Sequence, residues 1–496
     1  MLAAVRSATL LGIDGQVVTV EVHVSNGLPG YTVVGLPDTA VRESRERVRA
    51  ALLSSELSWP LKRVTVNLAP SGVRKTGAGL DLAFALGLML ATGELPSGVL
   101  DGIGVLGELG LDGRVRAVPG ALALVSALSS TADVETVIVP SVNATEARLV
   151  ENVRVLPAES LLQLRSALKG EEEWPEPPVE AHSCPTTTAE NNSVCNDAAC
   201  VNPSCSQDFE DLADVRGLST ARRALEAAAA GGHHLLLVGP PGCGKTMLAR
   251  RLPGILPAPP RDEALEVTRI HSAAGLTVGR GLLALRPFRA PHHTISTAAL
   301  VGGGSGRPNP GEVTLAHRGA LFLDELGEFS PKTLDALRQP LEDRSVRIAR
   351  QPVSLTFPSN FVLIACSNPC PCGLGPPRCR CDESRLARYR RRLSAPLLDR
   401  FHLRLAVAPT SPLDPAGPST SEVRARVNAA VARQSTRYKG MRWRLNAQVP
   451  TGEASASMAF GSAAKDALHL LALRAAWTGR GMAIIHRVAR TLADLD

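Results

Sequence analysis

The sequence predicts an α/β protein with two sheet-containing regions and a helical tail. Three observations carry this expectation. Near the N-terminus, "QVVTVEVHV" (16–24) and "RVTVNLAP" (63–70) alternate apolar and polar residues and stop at Gly or Pro, the pattern of half-buried strands. Later, "HHLLLVGP" (233–240), "GALFLDEL" (319–326) and "FVLIACSN" (361–368) are unbroken apolar runs, as strands covered on both faces of a parallel sheet require. Beyond about residue 411, "SEVRARVNAAVARQSTR" (421–437) and "GSAAKDALHLLALRAAWTGR" (461–480) have helical spacing.

Taken in order, the first region (1–168) mixes its strands with three helices. "DTAVRESRERVRAALLSS" (38–55) begins at a capping Asp38, and "LDLAFALGLMLATG" (80–93) is a buried helix ending in glycine. "ETVIVPSVNATEARLVENVRVLPAES" (135–160) reads as strand–helix–strand. Between 169 and 207 the periodicity collapses into a Pro, Ser, Asn and Glu-rich linker that holds Cys184, Cys195, Cys200 and Cys205. A second α/β domain spans 208–410, and a small helical domain follows at 411–496.

A chain of 496 residues exceeds one ordinary core and implies several domains. With 44% apolar and 20% charged residues it is globular in composition. Aromatics at 3% disfavour nucleic-acid binding by extended base stacking, whereas the net charge of +7 and pI near 9.0 suit a polyanionic partner. No uninterrupted apolar run reaches membrane-spanning length, and "MLAAVRSATLLGIDGQ" lacks the parts of a signal peptide. The expectation is a cytoplasmic protein, where clustered cysteines are metal ligands or free thiols rather than disulfides.

"GPPGCGKT" satisfies G-x-x-x-x-G-K-[ST] between an apolar strand and the helix-forming "MLARRL", the context a phosphate loop needs. Gly239, Pro240, Pro241, Gly242, Cys243, Gly244, Lys245, Thr246 and Met247 are the candidate nucleotide-binding residues. Glycines let backbone N–H groups turn onto phosphates, and the helix N-terminus adds partial positive charge. Lys245 is expected to reach the β/γ-phosphates and Thr246 to ligate Mg²⁺. In "LFLDEL", Asp324 is placed to hold Mg²⁺ and Glu325 to activate the attacking water. Asn368 ends the third apolar strand, where a γ-phosphate or its water would lie. Together these residues predict an ATPase.

The same residues carry a resemblance. "GPPGCGKT", "LFLDEL" and "CSN" resemble Walker A, Walker B and sensor 1 of an AAA+ ATPase. "IHSAAGL…RPFRAPHHTISTAALVGGG…PGEVTLAHRGALFLDELGEF" resembles the magnesium-chelatase-like branch, and the whole chain looks like the YifB/ComM-type proteins. The resemblance implies a helix-2 insert and a pre-sensor hairpin facing the pore of a homo-hexameric ring. It also implies an arginine finger at Arg400 in "PLLDRFHL" and a sensor 2 arginine at Arg480 in "TGRGMAIIHRVARTLADL", where Ile484 departs from the expected basic residue. The first region is similar to a Lon-protease-like fold. In "NLAPSGVRKTGAGLDLAFALG" the catalytic serine position falls near Gly79, so a structural or DNA-binding domain is expected rather than a peptidase.

For the partner, the resemblance implies DNA, single-stranded or branched, and a role in branch migration during recombination and natural transformation. "LEDRSVRIARQP" offers Arg344, Arg347 and Arg350 as phosphate contacts on a basic hairpin. A chelatase-type ATPase remodelling a protein partner is the alternative. His292 and His293 either touch a strand or shape the insert by packing. In "NPCPCGLGPPRCRC", Cys370, Cys372, Cys379 and Cys381 have the soft-ligand character and the turn-forming Gly and Pro spacers that suit tetrahedral Zn²⁺; free structural thiols and redox chemistry are the other readings. Cys366, within the strand, is expected in the core.

Overall fold

A computed structural model describes residues 1–72, 74–175, 209–278, 280–304, 308–350, 353–411, 413–458, 460–475 and 478–496. Two compact units emerge. Both are mixed α/β, and no helix among the described residues is long and apolar enough to cross a membrane.

The first unit is built on a seven-stranded sheet in the order Gly30–Val34, Arg63–Ala69, Asp14–Ser25, Leu2–Leu11, Ile103–Val105, Thr136–Pro140, Arg154–Ala158. The N-terminal segment Leu2–Leu11 is a long strand pairing antiparallel with Asp14–Ser25. Val18, Val20 and Val22 alternate onto one face and are fully buried. The helix Asp81–Thr92 lies on that face and ends at Gly93 in the left-handed region, with φ +85. Gly87 lets it press close, because a Cβ there would sit 2.8 Å from Val22 Cγ2. Asp38 caps its helix as expected, accepting from the Val41 N–H, but that helix breaks at Glu43 into Thr39–Arg42 and Ser44–Ser54. Residues 261–284, inside the stretch the sequence boundaries give to the second α/β domain, cluster with this first unit. Their helix Arg261–Ala273 packs on Ala121–Ser129, and Ser272 hydrogen-bonds the buried Glu146.

In the second unit a five-stranded sheet runs Phe288–Arg289, Ala320–Leu323, Val362–Ser367, Leu235–Val238, Leu403–Ala406, and every pairing is parallel. Leu235, Leu237, Ala320, Phe322, Ile364 and Cys366 fill the core on one face. Leu236, Leu321, Leu323, Leu363 and Ala365 fill it on the other. Double-sided burial is the reason these strands are continuously apolar. The helices Thr420–Arg437 and Gly479–Leu495 pack against Ser219–Gly231 and are tied to each other by Asp494, which is fully buried and binds Arg437, Arg490 and Asn446.

Three histidines sit at the amino ends of two of these strands, His233 and His234 just before Leu235 and His402 just before Leu403. His233 Nε2 meets Thr491 Oγ1 at 2.7 Å and its Nδ1 meets His402 Nδ1 at 3.2 Å, while His234 Nδ1 accepts the Leu363 N–H at 3.0 Å. Burial, reinforced for His233 by His234 and Arg487 and for His234 by Arg344, pushes their pKa values to about 3 and about 4, and His402 falls well below 6.5. These rings fold neutral, whereas the unfolded chain protonates them near 6.5. Their contribution to stability is therefore complete above the unfolded value and is lost as pH falls through the folded values. The urea-unfolding midpoint is expected to drop between pH 6.5 and 5.5, above the main carboxylate range, and a His402→Asn variant to show a flatter dependence. Equal slopes in the two proteins would contradict this account.

Candidate active site

The strand Leu235–Val238 feeds the loop 239–244, and helix Lys245–Arg250 follows directly. Gly242 and Gly244 take φ +76 and +83, the left-handed region that glycine adopts without a Cβ penalty and that lets the loop turn tightly. Lys245 is buried, and its Nζ donates to the carbonyls of Gly239 and Pro240 at 2.8 Å each, with Asn368 Oδ1 at 3.4 Å. Its ammonium is thus held inside the loop rather than in solvent.

Register decides what joins it. Val238 pairs with Ser367, and Leu323 with Ala365, so the loop, Asp324 and Asn368 all leave the sheet at the carboxyl ends of adjacent strands. Thr246 Oγ1 donates to Asp324 Oδ2 at 2.8 Å, an oxygen pair of the kind that suits a hard divalent cation. Glu325 has φ +50, unusual for a non-glycine, and its N–H is held by Asp324 Oδ1 at 2.9 Å. Its carboxylate is largely exposed, with His293 Nδ1 3.5 Å from Oε2. His293 is itself tilted against His292, ring centroids 4.0 Å apart, and edge-on to Phe329 at 6.4 Å. The segment that delivers these histidines is anchored by a two-bond ion pair from Arg289 to Glu312, at 2.6 and 2.8 Å.

Comparison with known proteins places this geometry in a family. A family model described as magnesium chelatase, subunit ChlI, matches residues 211–414. Models for subunit ChlI of Mg-chelatase and for the ChlI C-terminal region match 20–143 and 417–496. The chain is 39% identical to YifB of Escherichia coli over 509 residues, covering 100% of this chain and 94% of that one. It is 42% identical to Competence protein ComM of Haemophilus influenzae over 418 residues, 84% of this chain and 77% of that one. Lon protease 2 of Bacillus subtilis is 34% identical over 141 residues, 27% of this chain and 25% of that one. The chain belongs to the YifB/ComM-type magnesium-chelatase-like family. Membership in this family suggests an ATPase that uses ATP and Mg²⁺.

Other residues marked in the YifB/ComM-type sequence stand apart from the loop. Arg400 lies three residues before Leu403, which pairs with Leu235. It therefore sits at the amino end of the strands, about 13 Å or more along the strand direction from its own phosphate loop. It is 8% exposed, is paired with Glu342, and keeps Nε and Nη1 without hydrogen-bond partners. A cavity of about 710 Å³ opens beside it, lined by residues that include Gly302, Arg338, Glu342 and Arg347. Arg480 is exposed in the first turn of helix Gly479–Leu495, and no hydrogen bond or ion pair joins it to the phosphate loop among the described residues. Two turns later, Arg487 is buried with its Nε unpartnered, and burial followed by the charges of Arg344 and Arg480 lowers its pKa to about 10. No motif marked Arg487.

The basic hairpin forms from Ser345–Arg350 and Val353–Pro358. Arg347 is exposed on it, its Nε donating to Ser354 Oγ at 3.2 Å. Arg344 takes φ +54 at the end of the preceding helix, and its Nη2 donates to the Gln448 carbonyl at 3.3 Å. The Arg350 side chain and the linker cysteines Cys184, Cys195, Cys200 and Cys205 lie outside the described residues. In the first unit Gly79 carries no nucleophile, Ser71 is exposed in a turn, and the buried Lys75 donates to the Pro70 carbonyl.

Cys366 is fully buried in the sheet, and burial raises its thiol pKa. By contrast Cys370, Cys372, Cys379 and Cys381 form one cluster with every Sγ within 4.8 Å of the others. Backbone N–H groups of Arg380 and Leu374 pull the exposed Cys372 thiol down to about 6. The spacing did not reveal Tyr389, whose hydroxyl donates to the Asn368 carbonyl at 3.1 Å and sits against Gly327, where a Cβ would meet it at 2.3 Å. Arg392 on the same helix donates to the Gly327 carbonyl at 2.7 Å.

Proposed function

We propose that the protein is a hexameric ATP-dependent DNA translocase, or helicase, that promotes branch migration during recombination and natural transformation. The observation that carries the reading is the convergence of Lys245, Thr246, Asp324 and Asn368 at one sheet edge. The relative named Competence protein ComM supports the competence role. In this reading the first unit is a Lon-protease-like domain without its nucleophile. The second holds an AAA+ core with a helix-2 insert, and 411–496 is the helical lid.

Residues 239–247 hold the nucleotide, with Lys245 on the β/γ-phosphates and the helix N-terminus behind them. Thr246 and Asp324 hold Mg²⁺, which when bound offsets phosphate charge. Glu325 accepts the proton of the attacking water, and His293 orients its carboxylate. Asn368 positions that water, with Tyr389 fixing its backbone. Arg400 leaves Glu342 to reach the ATP of a neighbouring subunit, and Arg480 acts as the sensor 2 arginine. Cys370, Cys372, Cys379 and Cys381 are the candidate zinc ligands.

Arg344, Arg347 and Arg350 contact DNA phosphates. Arg347→Ala is expected to weaken binding to all sequences alike, and log affinity to fall less steeply with log salt, by about one contact's worth of slope. Fluorescence anisotropy on forked DNA over a salt series measures both; an unchanged slope removes Arg347 from the interface.

The direct test is the ATP turnover rate with and without forked or four-way DNA, together with a branch-migration assay. Stimulation by branched DNA is expected. Absence of both stimulation and low-salt DNA binding favours the second reading, a chelatase-type ATPase that remodels a protein partner. The three chelatase-subunit family matches support that alternative, since one of them covers the first unit as well.

A further inference from the structure

The loop between Asn368 and the helix Glu383–Arg392 has no core of its own. Leu374 is 42% exposed, Pro371, Pro376 and Pro377 point outward, and among its side chains only Cys370 is buried. Apolar burial therefore does not account for its closed shape. What lies inside it is sulfur. Cys370 and Cys372 have their Sγ atoms 3.3 Å apart and Cys372 and Cys379 3.9 Å apart. Both distances are far beyond the ~2.05 Å of a disulfide. They bracket the ~3.8 Å edge of a sulfur tetrahedron drawn around a metal with ~2.3 Å bonds. Reduced thiols attract one another too weakly to hold four together at this spacing.

The surroundings suit thiolates. The Gly375 N–H donates to Cys370 Sγ at 3.3 Å, and Arg378 and Arg380 flank Cys379 in the chain. Such donors and cations offset the net −2 charge of four thiolates on a divalent ion. An all-sulfur tetrahedral set selects zinc, with iron as the competing metal.

The loop also touches the nucleotide site. Gly373, with φ +80, packs so closely on Pro241 of the phosphate loop that a Cβ would lie 2.8 Å from Pro241 Cδ. One end of the loop is Asn368, and the helix at its other end carries Tyr389, which holds the Asn368 carbonyl.

We infer that Cys370, Cys372, Cys379 and Cys381 bind one Zn²⁺ as a tetrathiolate, and that this ion holds the loop against Pro241 and Asn368 to keep the phosphate loop in its binding shape. The coupling to nucleotide affinity rests on the ATPase reading; the metal site does not. Because the loop has no core, metal binding supplies its folding energy.

The test uses the full chain purified without a polyhistidine tag. Elemental analysis is expected to find roughly one zinc per chain, lost in the Cys379→Ser/Cys381→Ser variant. Trypsin is expected to cut after Arg378 and Arg380 in the variant and to spare them in the zinc-bound protein. Should the variant fold poorly, titrating the wild type with p-hydroxymercuribenzoate gives the same readouts, with zinc release followed by cleavage. A fluorescent ATP analogue is expected to bind the zinc-free protein about tenfold more weakly, a shift of about 1.4 kcal/mol. Wild-type protein without zinc, or with iron in its place, overturns the site. Zinc loss with unchanged nucleotide affinity overturns the coupling. Zinc-bound protein that binds no ATP overturns the ATPase reading and leaves the metal site standing.

Discussion

Glu325→Gln is expected to bind ATP with wild-type affinity and to turn it over about 10²–10⁴-fold more slowly, the range lost when a positioned general base is removed. Glutamine keeps the shape of glutamate, so the backbone hydrogen bond from residue 325 to Asp324 Oδ1 survives. The substitution removes only the proton acceptor. The backbone supports a functional assignment for this position. A left-handed conformation at a non-glycine residue costs about 1–2 kcal/mol, and Glu325 adopts one at φ +50 directly after a buried strand. Strain of this kind persists where the neighbouring structure over-determines it, and the Asp324–Thr246 contact at 2.8 Å is that neighbour. Nucleotide binding and single-turnover hydrolysis, measured separately, check the expectation. Turnover near the wild-type rate would refute the base assignment. His293→Ala is expected to give a smaller loss, since it touches the carboxylate and not the phosphates.

Arg400→Ala is expected to abolish turnover by roughly 10³-fold or more, the scale of an arginine supplied in trans, while leaving each subunit able to bind ATP. Stability should change little. Two of the guanidinium nitrogens are buried without partners, and the Glu342 side chain left behind is 61% exposed, so water replaces the lost ion pair. Strand register makes the trans assignment testable, because Arg400 lies at the opposite end of the sheet from the phosphate loop, out of reach of the chain's own nucleotide. Mixing the Arg400→Ala and Lys245→Ala proteins, each inactive alone, is expected to restore roughly a quarter of the rate, because half the subunits keep Lys245 and half of their neighbours supply Arg400. No recovery on mixing, with rings shown to exchange subunits, would remove Arg400 from that role.

Much of this was legible in the chain. The apolar runs ending in "GPPGCGKT", "DEL" and "CSN" carry both the strand pattern and the polar tips, because the last residue of a buried strand and the first residue of its loop are covalent neighbours. Parallel pairing at Val238–Ser367 and Leu323–Ala365 then brings the three tips together. The four cysteines are likewise close in sequence, so their spacing alone announced a cluster.

What escaped the sequence lies between distant residues. The break at Glu43, the docking of 261–284 on the first unit through Glu146 and Ser272, and the Arg400–Glu342 pair have no local periodicity to reveal them. His293 reaches Glu325, and Tyr389 reaches Asn368, only because the sheet and its helices fold their segments to the same edge. Periodicity and motif spacing record interactions within a turn or a strand, and these the sequence determined by itself. Burial, ion pairing and the approach of Gly373 to Pro241 depend on packing across many residues of separation, so the tertiary structure alone decided them.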